Sequence, residues 1–160
     1  MKFRSFAVAA LLAIGCTSDK SFDQAIEFKD RTWKVSEPVE LEFTIENVND
    51  PYDISCTVRN SLDYPYARIF INYTLTDSIG QELSKKLVSH FLFDQKTGEP
   101  QGNSGLGDLY DHSFPLLKGY EFRYPGKFKM RLEQMMRQDT LKGVLAVGLQ
   151  VQPTPPPSGK

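Results

Sequence analysis

Hydrophobic and polar residues alternate with a period of two along most of the chain. The stretch VELEFTIE places Val39, Leu41, Phe43 and Ile45 on one face and polar side chains on the other, which is the pattern of a half-buried β-strand. The alternation recurs in DISCTVRN, ARIFINYTLT, LVSHFLFD, GKFKMRLEQMMR and GVLAVGLQV. By propensity alone LEQMMRQDTL is also compatible with a short helix, but the unbroken alternation from Phe128 onward favours a strand.

These stretches predict an all-β fold. Turn residues separate them and no strong helical period is present, so we expect a single antiparallel β-sandwich domain, jelly-roll or immunoglobulin-like. The sandwich is predicted over residues 37–152, behind a tether at 16–36 and ahead of a proline-rich tail at 153–160. Trp33 is expected to end the free part of the tether, because a lone tryptophan usually packs.

The first residues follow the order of an exported lipoprotein precursor. Lys2 and Arg4 precede an apolar run at residues 6–14, a glycine follows, and Cys16 begins a polar stretch. This order predicts a signal peptide over residues 1–15, and the run is shorter than the roughly 20 apolar residues of a membrane span. The stretch AIGC resembles a bacterial lipobox, so Cys16 is predicted to be the mature N-terminus and to carry diacylglycerol. The alternative is an ordinary signal peptide cut nearby, with Cys16 incidental.

Charge and composition limit the classes of partner. The chain has 19 basic and 20 acidic side chains, a net charge of −1 and no basic patch, which argues against nucleic acid as a partner. Eleven Phe, seven Tyr and one Trp promise a substantial core. With Cys16 lipidated, Cys56 has no partner for a disulfide. Its place on the apolar face of DISCTVRN predicts a small buried side chain rather than a catalytic thiol.

Familiar catalytic and metal-binding spacings are missing from the sequence. His90 and His112 lie far apart, and no His-x-x-x-His, Cys-x-x-Cys or His-Glu-x-x-His pattern occurs, so neither a metal nor another cofactor is expected. A catalytic site could still form if four titratable side chains converged in one cleft. They are Asp94, Asp108, Asp111 and His112. We therefore expect a protein that is not an enzyme.

Two stretches contain candidate partner-binding residues. GEPQGNSGLGDLYDH is predicted to be a long hairpin or lid rather than a phosphate-binding loop, because no Gly-Lys-Ser/Thr follows its glycines. RNSLDYPYARIF combines an arginine with two tyrosines around a proline, which suits a protein or glycan surface; the alternative is a tyrosine-lined strand connection. The candidates from the two stretches are Arg59, Asn60, Tyr64, Tyr66, Gly105, Gly107 and Asp108.

The same residues give the chain a family resemblance. The shared features are the lipobox cysteine, Trp33 ahead of VELEF, and the stretches RN, YPY, GLGD, FRYPGKFKMRLEQMMR and LKGVLAVGLQV. In these features the chain resembles the gliding-motility lipoprotein GldH family. The match covers nearly all of the chain after Cys16, and Arg68 and Asn103 depart from residues common in that family. The resemblance implies an envelope lipoprotein that works within the gliding machinery and supports partner lipoproteins, and it implies no catalytic residue.

The residue that follows Cys16 bears on the location of the protein. The lipid anchor is expected to hold the domain on the periplasmic side, at the outer rather than the inner membrane, because Thr17 and not an aspartate follows the cysteine. Contacts with other envelope lipoproteins are expected to run through the loops.

The alternative function is that of a glycan-binding β-sandwich. A flat exposed aromatic strip would favour sugar and buried rings would favour protein partners; the rings in question are Tyr64, Tyr66, Tyr110 and Tyr120.

Overall fold

The computed structural model of the protein describes residues 21–156. The predicted signal peptide, the lipidation site Cys16 and the end of the proline-rich tail lie outside that range. The described residues form strands and no helix, so none of them forms a helix long and apolar enough to span a membrane. The strands are β1 (Phe22–Glu27), β2 (Thr32–Lys34), β3 (Val39–Ile45), β4 (Tyr52–Ser61), β5 (Arg68–Asp77), β6 (Glu82–Phe91), β7 (Asn103–Ser104), β8 (Leu109–Tyr120), β9 (Gly126–Gln134), β10 (Thr140–Lys142) and β11 (Val144–Pro153).

Two antiparallel sheets make up most of the structure. The five-stranded sheet has the order β1-β11-β4-β8-β7, the four-stranded sheet has the order β3-β9-β5-β6, and β2 pairs with β10. Alternate residues point into the space between the sheets: the apolar positions of β3 are buried and its polar positions are exposed. The predicted all-β antiparallel sandwich is confirmed.

The sandwich has two ends that carry different parts of the chain. At the lower end β1 begins with Phe22 opposite Val151 of β11, and the β3–β4, β5–β6 and β8–β9 turns lie there too. The upper end carries the β1–β2, β4–β5, β6–β7 and β9–β10 connections. The 10 residues of β4 run from the lower to the upper end, a distance of about 33 Å at roughly 3.3 Å per residue.

Aromatic side chains fill much of the interior. In the lower half, the Phe122 ring lies 4.5 Å from that of Phe128 and 6.1 Å from that of Phe43, measured between centroids. At the upper end Trp33 is fully buried, and its indole N–H donates to the carbonyl oxygen of Glu37 at 3.0 Å. The expectation that Trp33 packs is therefore confirmed.

The predicted tether boundary at residue 36 is wrong. β1 and β2 both lie inside the range 16–36, and β1 pairs with β11 from Phe22 to Glu27. β1 is an edge strand, and every one of its residues except the partly shielded Phe22 is exposed. Because β1 has no buried face, its residues do not alternate between apolar and polar, and no pattern predicts it as a strand.

The limits of two other strands differ from the sequence pattern, and a third strand was not predicted. β6 begins at Glu82, ahead of LVSHFLFD, and β9 ends at Gln134, so the two methionines that follow lie in a connection. The alternation did not predict β8 as a strand. Its pairing with β4 is shifted next to Pro115, and a proline within a strand is confined to edges and irregular positions.

Candidate partner-binding surface

Backbone hydrogen bonds join four connections at the upper end. The Leu62 N–H donates to the Asp108 carbonyl at 3.1 Å, which ties the β4–β5 connection to the glycine-rich loop. The Gly143 N–H donates to the Arg31 carbonyl at 2.8 Å, and the Ser61 N–H donates to the Gly143 carbonyl at 2.9 Å. The two stretches that contain the predicted partner-binding residues therefore meet at one end of the fold.

The glycine-rich loop is a hairpin, as the sequence predicted. β7 pairs with the start of β8, and the Gly105 N–H donates to the Leu109 carbonyl at 2.8 Å. Gly107 adopts a φ of 71°, in the left-handed region that glycine enters without steric cost. Leu106 at the tip is 91% exposed.

Charged side chains surround this hairpin. The Arg31 guanidinium lies 3.6 Å from the Asp108 carboxylate, and Arg59 forms a bidentate pair with Asp111, at 2.7 and 3.2 Å. Arg31, Arg59 and Leu109 line one groove. Exposed pairs contribute at most about 1 kcal/mol to stability, so these charges can be redirected to a partner at little cost.

Arg31 belongs to this surface but lies outside both stretches that the sequence singled out. It is the only non-glycine residue among residues 21–156 with a positive φ, at 50°. Non-glycine residues held in that region cluster at functional sites. No motif marks the position, because its conformation is imposed by contacts on either side: the Arg31 N–H donates to the Phe28 carbonyl at 3.0 Å, and its own carbonyl accepts from Gly143.

Two predicted partner-binding residues are inaccessible. Asn60 is fully buried and Tyr64 is 4% exposed. The Tyr64 hydroxyl donates to the Arg68 carbonyl at 3.0 Å, its ring stacks on Phe93, and burial raises its pKa. Tyr66 is half-buried with its ring edge-on to Tyr64. Contrary to the prediction, Asn60 and Tyr64 belong to the interior, and the YPY stretch is a tyrosine-lined strand connection.

The four tyrosines considered for glycan binding form no exposed strip. Tyr64 is buried, while Tyr66, Tyr110 and Tyr120 are half-buried. Tyr110 and Tyr120 also lie near opposite ends of β8. A sugar ring needs a flat accessible face on which to stack, so this arrangement favours a protein partner.

The acidic and histidine candidates for catalysis do not converge. The Asp94 carboxylate accepts backbone N–H bonds from Lys96 and Thr97 within its own turn. Asp108 and Asp111 face Arg31 and Arg59 on the surface, whereas His112 is 5% exposed. Among the described residues no group of three or more His, Cys, Asp or Glu side chains could hold a metal ion. Cys56 is fully buried, as predicted, and burial raises the pKa of its thiol.

The two histidines meet inside the sandwich, which their separation in the sequence concealed. Their ring centroids are 5.6 Å apart, and the His90 ring stacks on Phe114 at 4.4 Å. Burial, with a contribution from His90, lowers the pKa of His112 to about 4. Gly102 passes so close that a Cβ there would lie 2.6 Å from His112 Nε2. The pair is therefore an uncharged packing element at neutral pH.

Comparisons with known proteins point to one family. The sequence profile of the GldH lipoprotein family matches residues 20–151. The chain is 23% identical over 154 residues to the "Gliding motility lipoprotein GldH homolog" of Christiangramia forsetii (strain DSM 17595 / CGMCC 1.15422 / KT0803), covering 92% of each chain.

Two solved structures show a loose likeness to this chain. The infectious bursal disease virus VP2 subviral particle matches with a TM-score of 0.41 and 11% identity over 84% of this chain. The structure of the Gx strain of that virus matches with a TM-score of 0.36 and 12% identity over 83% of this chain. The chain covers 33% and 32% of the length of those viral chains.

Proposed function

Because the chain belongs to the GldH lipoprotein family, we propose that it is a non-enzymatic, lipid-anchored protein of the cell envelope. It supports a gliding-motility-type or related envelope assembly through protein–protein contacts, and its partners are other envelope lipoproteins. The anchor is the diacylglyceryl group on Cys16. The domain lies on the periplasmic side, at the outer membrane rather than the inner one.

The observation that carries this proposal is the separation of the anchored end from the loop end. β1 begins at Phe22 at the lower end, so residues 16–21 are all that connect the folded domain to Cys16. Fully extended at roughly 3.4 Å each, they reach at most about 20 Å. The lower end therefore stays close to the lipid, and the upper connections lie a further strand length away.

The upper end has the composition of a contact surface. We define the upper loop surface as Arg31, Arg59, Leu62, Leu106 and Asp108. Leu62 and Leu106 are 53% and 91% exposed, and the three charged residues around them are half-exposed. Protein interfaces combine an apolar centre with a polar rim, and a partner that covers both leucines would remove their apolar surface from water.

The test compares one apolar-to-acidic substitution at each end. Leu106→Asp alters the upper loop surface, and Ile79→Asp makes the equivalent change in the β5–β6 turn at the lower end, where Ile79 is 85% exposed. Tagged variants are purified from detergent-solubilised envelopes, and the co-purifying lipoproteins are quantified by mass spectrometry. We expect Leu106→Asp to reduce their yield about tenfold, equivalent to about 1.4 kcal/mol of binding free energy, and Ile79→Asp to leave it unchanged. Equal yields from both variants and the wild type would contradict contact through the upper end.

A further inference from the structure

The outer face of the four-stranded sheet divides into two regions. Its lower region is charged and internally paired: Glu40 contacts Arg131 at 2.6 Å and Lys129 at 3.7 Å. Its upper region is an apolar patch containing one cation. We call this region the β6 patch, and its members are Arg68, Phe70, Leu87, Phe91 and Met135.

Strand register brings the five residues of the β6 patch together. Arg68 of β5 pairs with Phe91 of β6, and two residues further along β5 the Phe70 carbonyl accepts the Met135 N–H at 2.9 Å. Leu87 lies opposite the next outward-facing residue of β5, Asn72. Leu87 and Met135 are 53% and 52% exposed, and the other three are partly exposed. The result is a mainly apolar area that also includes the polar Ser89, opposite Phe70 on β6, on a sheet face whose lower region is charged.

Arg68 differs from three other arginines of the chain in the contacts of its guanidinium group. Arg31, Arg59 and Arg131 each face a carboxylate, whereas the described part of the chain provides no carboxylate within ion-pair distance of Arg68. Its guanidinium carbon lies 3.9 Å from the ring centroid of Phe91 and 5.8 Å from that of Phe70. Its Nε–H is buried and has no acceptor among residues 21–156. The two rings thus hold a charged donor in a fixed position with part of its hydrogen-bonding capacity unused, which is costly in the free protein.

Protection of an edge strand does not account for the β6 patch. β6 is the last strand of its sheet, and lysines on edge strands prevent unwanted pairing, which explains Lys85 and Lys86. It does not explain an exposed leucine and methionine beside an unpaired arginine. Phenylalanine is enriched at protein interfaces, as are methionine and arginine, and arginine is common among the residues that dominate binding energy.

We propose that the β6 patch docks a segment of a partner protein in which an aspartate or glutamate is flanked by apolar side chains. The carboxylate accepts hydrogen bonds from Arg68, and the apolar side chains cover Leu87, Phe70 and Met135. The positive charge of Arg68 selects an acidic segment by charge complementarity, whereas the nearby Lys85 already lies 4.0 Å from the Glu82 carboxylate. The inference rests on the proposed function, because it identifies one surface through which the lipoprotein meets its partners.

The experiment is photo-crosslinking in cells of the source organism that make the full chain. A photoreactive phenylalanine derivative replaces Leu87, with the same derivative at Ile79 as the control position, and cross-linked peptides are sequenced by mass spectrometry. We expect position 87 to link to an envelope protein segment that contains a carboxylate and apolar residues. Position 79 should not link to that segment. Links from position 87 to phospholipid or to a second copy of this chain, or no links at all, would overturn the proposal.

Charge reversal tests the role assigned to Arg68. Arg68→Glu should lower the cross-link yield at position 87 by about tenfold or more, because the variant loses the guanidinium donors and places a negative charge against the partner's carboxylate. Lys86→Glu is the matched control, since it reverses an exposed charge on β6 outside the patch, and should change the yield by less than about twofold. Equal effects of the two variants would contradict the inference. A melting temperature is measured for each, and Leu87→Asp, with loss of the same protein on co-purification as its readout, replaces Arg68→Glu if that variant unfolds.

The outcome separates this inference from the proposed function. If Leu106→Asp removes the co-purifying lipoproteins while position 87 links to nothing, the β6 patch is not a docking site but the function stands. If no lipoprotein co-purifies with the wild type, the proposed function itself fails.

Discussion

Gly143 connects two loops at the upper end through a backbone conformation that other residues adopt only under strain. Its φ is 77°, and a Cβ there would lie 2.5 Å from the backbone nitrogen of Tyr64, closer than atoms can approach without displacing the chain. Gly107 has a similar φ of 71° but nothing within 4 Å of the corresponding Cβ position. The two glycines therefore share a conformational requirement and differ in available space.

We predict that Gly143→Ala destabilises the fold much more than Gly107→Ala does. The left-handed conformation alone costs a residue with a Cβ about 1–2 kcal/mol. Gly107→Ala should lower the free energy of unfolding by no more than this amount. Gly143→Ala must also displace the backbone at Tyr64, so its total loss should exceed about 3 kcal/mol. Urea unfolding of both variants provides the measurement, and losses of equal size would contradict the close approach of Gly143 to Tyr64.

His112 should make stability depend on pH above the range in which carboxylates titrate. Its pKa is lowered from 6.5 to about 4 in the folded protein, so as the pH falls the unfolded chain takes up a proton first. Stability is then complete above about pH 6.5 and declines toward pH 4. Between pH 7.5 and pH 5, His112 should lower the free energy of unfolding by about 2 kcal/mol.

The variant His112→Gln tests this prediction by removing the titrating group. The groups that bear on His112 are His90 from β6, which lowers its pKa, and the adjacent Asp111, which raises it. His90 retains a lowered pKa of its own because of burial, so the variant should keep part of the pH dependence. We expect urea unfolding at the two pH values to show less than half of the wild-type loss. An unchanged loss would mean that His112 is not buried in its neutral form.

At the scale of the residue, exposure was the property that the sequence could not supply. RNSLDYPYARIF contains polar and aromatic residues beside a proline, yet Asn60 and Tyr64 are buried while Leu62 between them is 53% exposed. The direction of each side chain there follows from the hydrogen bonds that fix the connection. Those bonds join segments that are distant in the sequence, so no local pattern records them.

At the scale of the element, β1 illustrates how pairing can stabilise a strand that has no buried face. All six residues of β1 pair with β11, from Phe22 opposite Val151 to Glu27 opposite Ala146. Phe22 also contacts the Phe43 ring of the facing sheet, with 5.9 Å between centroids. β1 therefore covers the edge of β11 and closes one side of the sandwich.

Two truncations test the role of β1, with the chain purified without its lipid anchor as the parent protein. Removal of all residues through Ser21 leaves β1 intact and should change the unfolding free energy by less than about 0.5 kcal/mol. Removal of all residues through Glu27 exposes the edge of β11 and the Phe43 ring, and should lower it by more than about 2 kcal/mol. If both truncated proteins were as stable as the parent, residues 22–27 would belong to the tether after all.

Strands whose sequences alternate between apolar and polar residues were predictable, whereas β1, β2, β7, β8 and β10 were not. β3, β5 and the part of β9 from Phe128 onward alternate strictly in burial, and their sequences alternate in the same way. β8 pairs with β4 along its length but with β7 over two residues only. Its alternation in burial is confined to the middle of the strand and stops after Leu116. The meeting of the two candidate stretches at the upper end depends on which strands are neighbours, which alternation does not specify.

At the scale of the whole molecule, the position of β1 limits how far the domain can lie from the proposed anchor at Cys16. A tether that ended at residue 36 would have left the sandwich free to move far from the lipid. With folding beginning at Phe22, the lower end stays within about 20 Å of Cys16. The upper loop surface and the β6 patch both lie toward the opposite end, where a neighbouring envelope protein can reach them.

The most direct test of the account is the abundance of other envelope lipoproteins in cells that lack this chain. The gene is deleted and then restored as the wild type or as Cys16→Ala, and envelope proteins are quantified by mass spectrometry. If the chain supports an assembly from its membrane anchor, at least one other envelope lipoprotein should fall severalfold on deletion, return with the wild type, and fail to return with Cys16→Ala. Unchanged amounts of every other envelope lipoprotein after deletion would contradict the account.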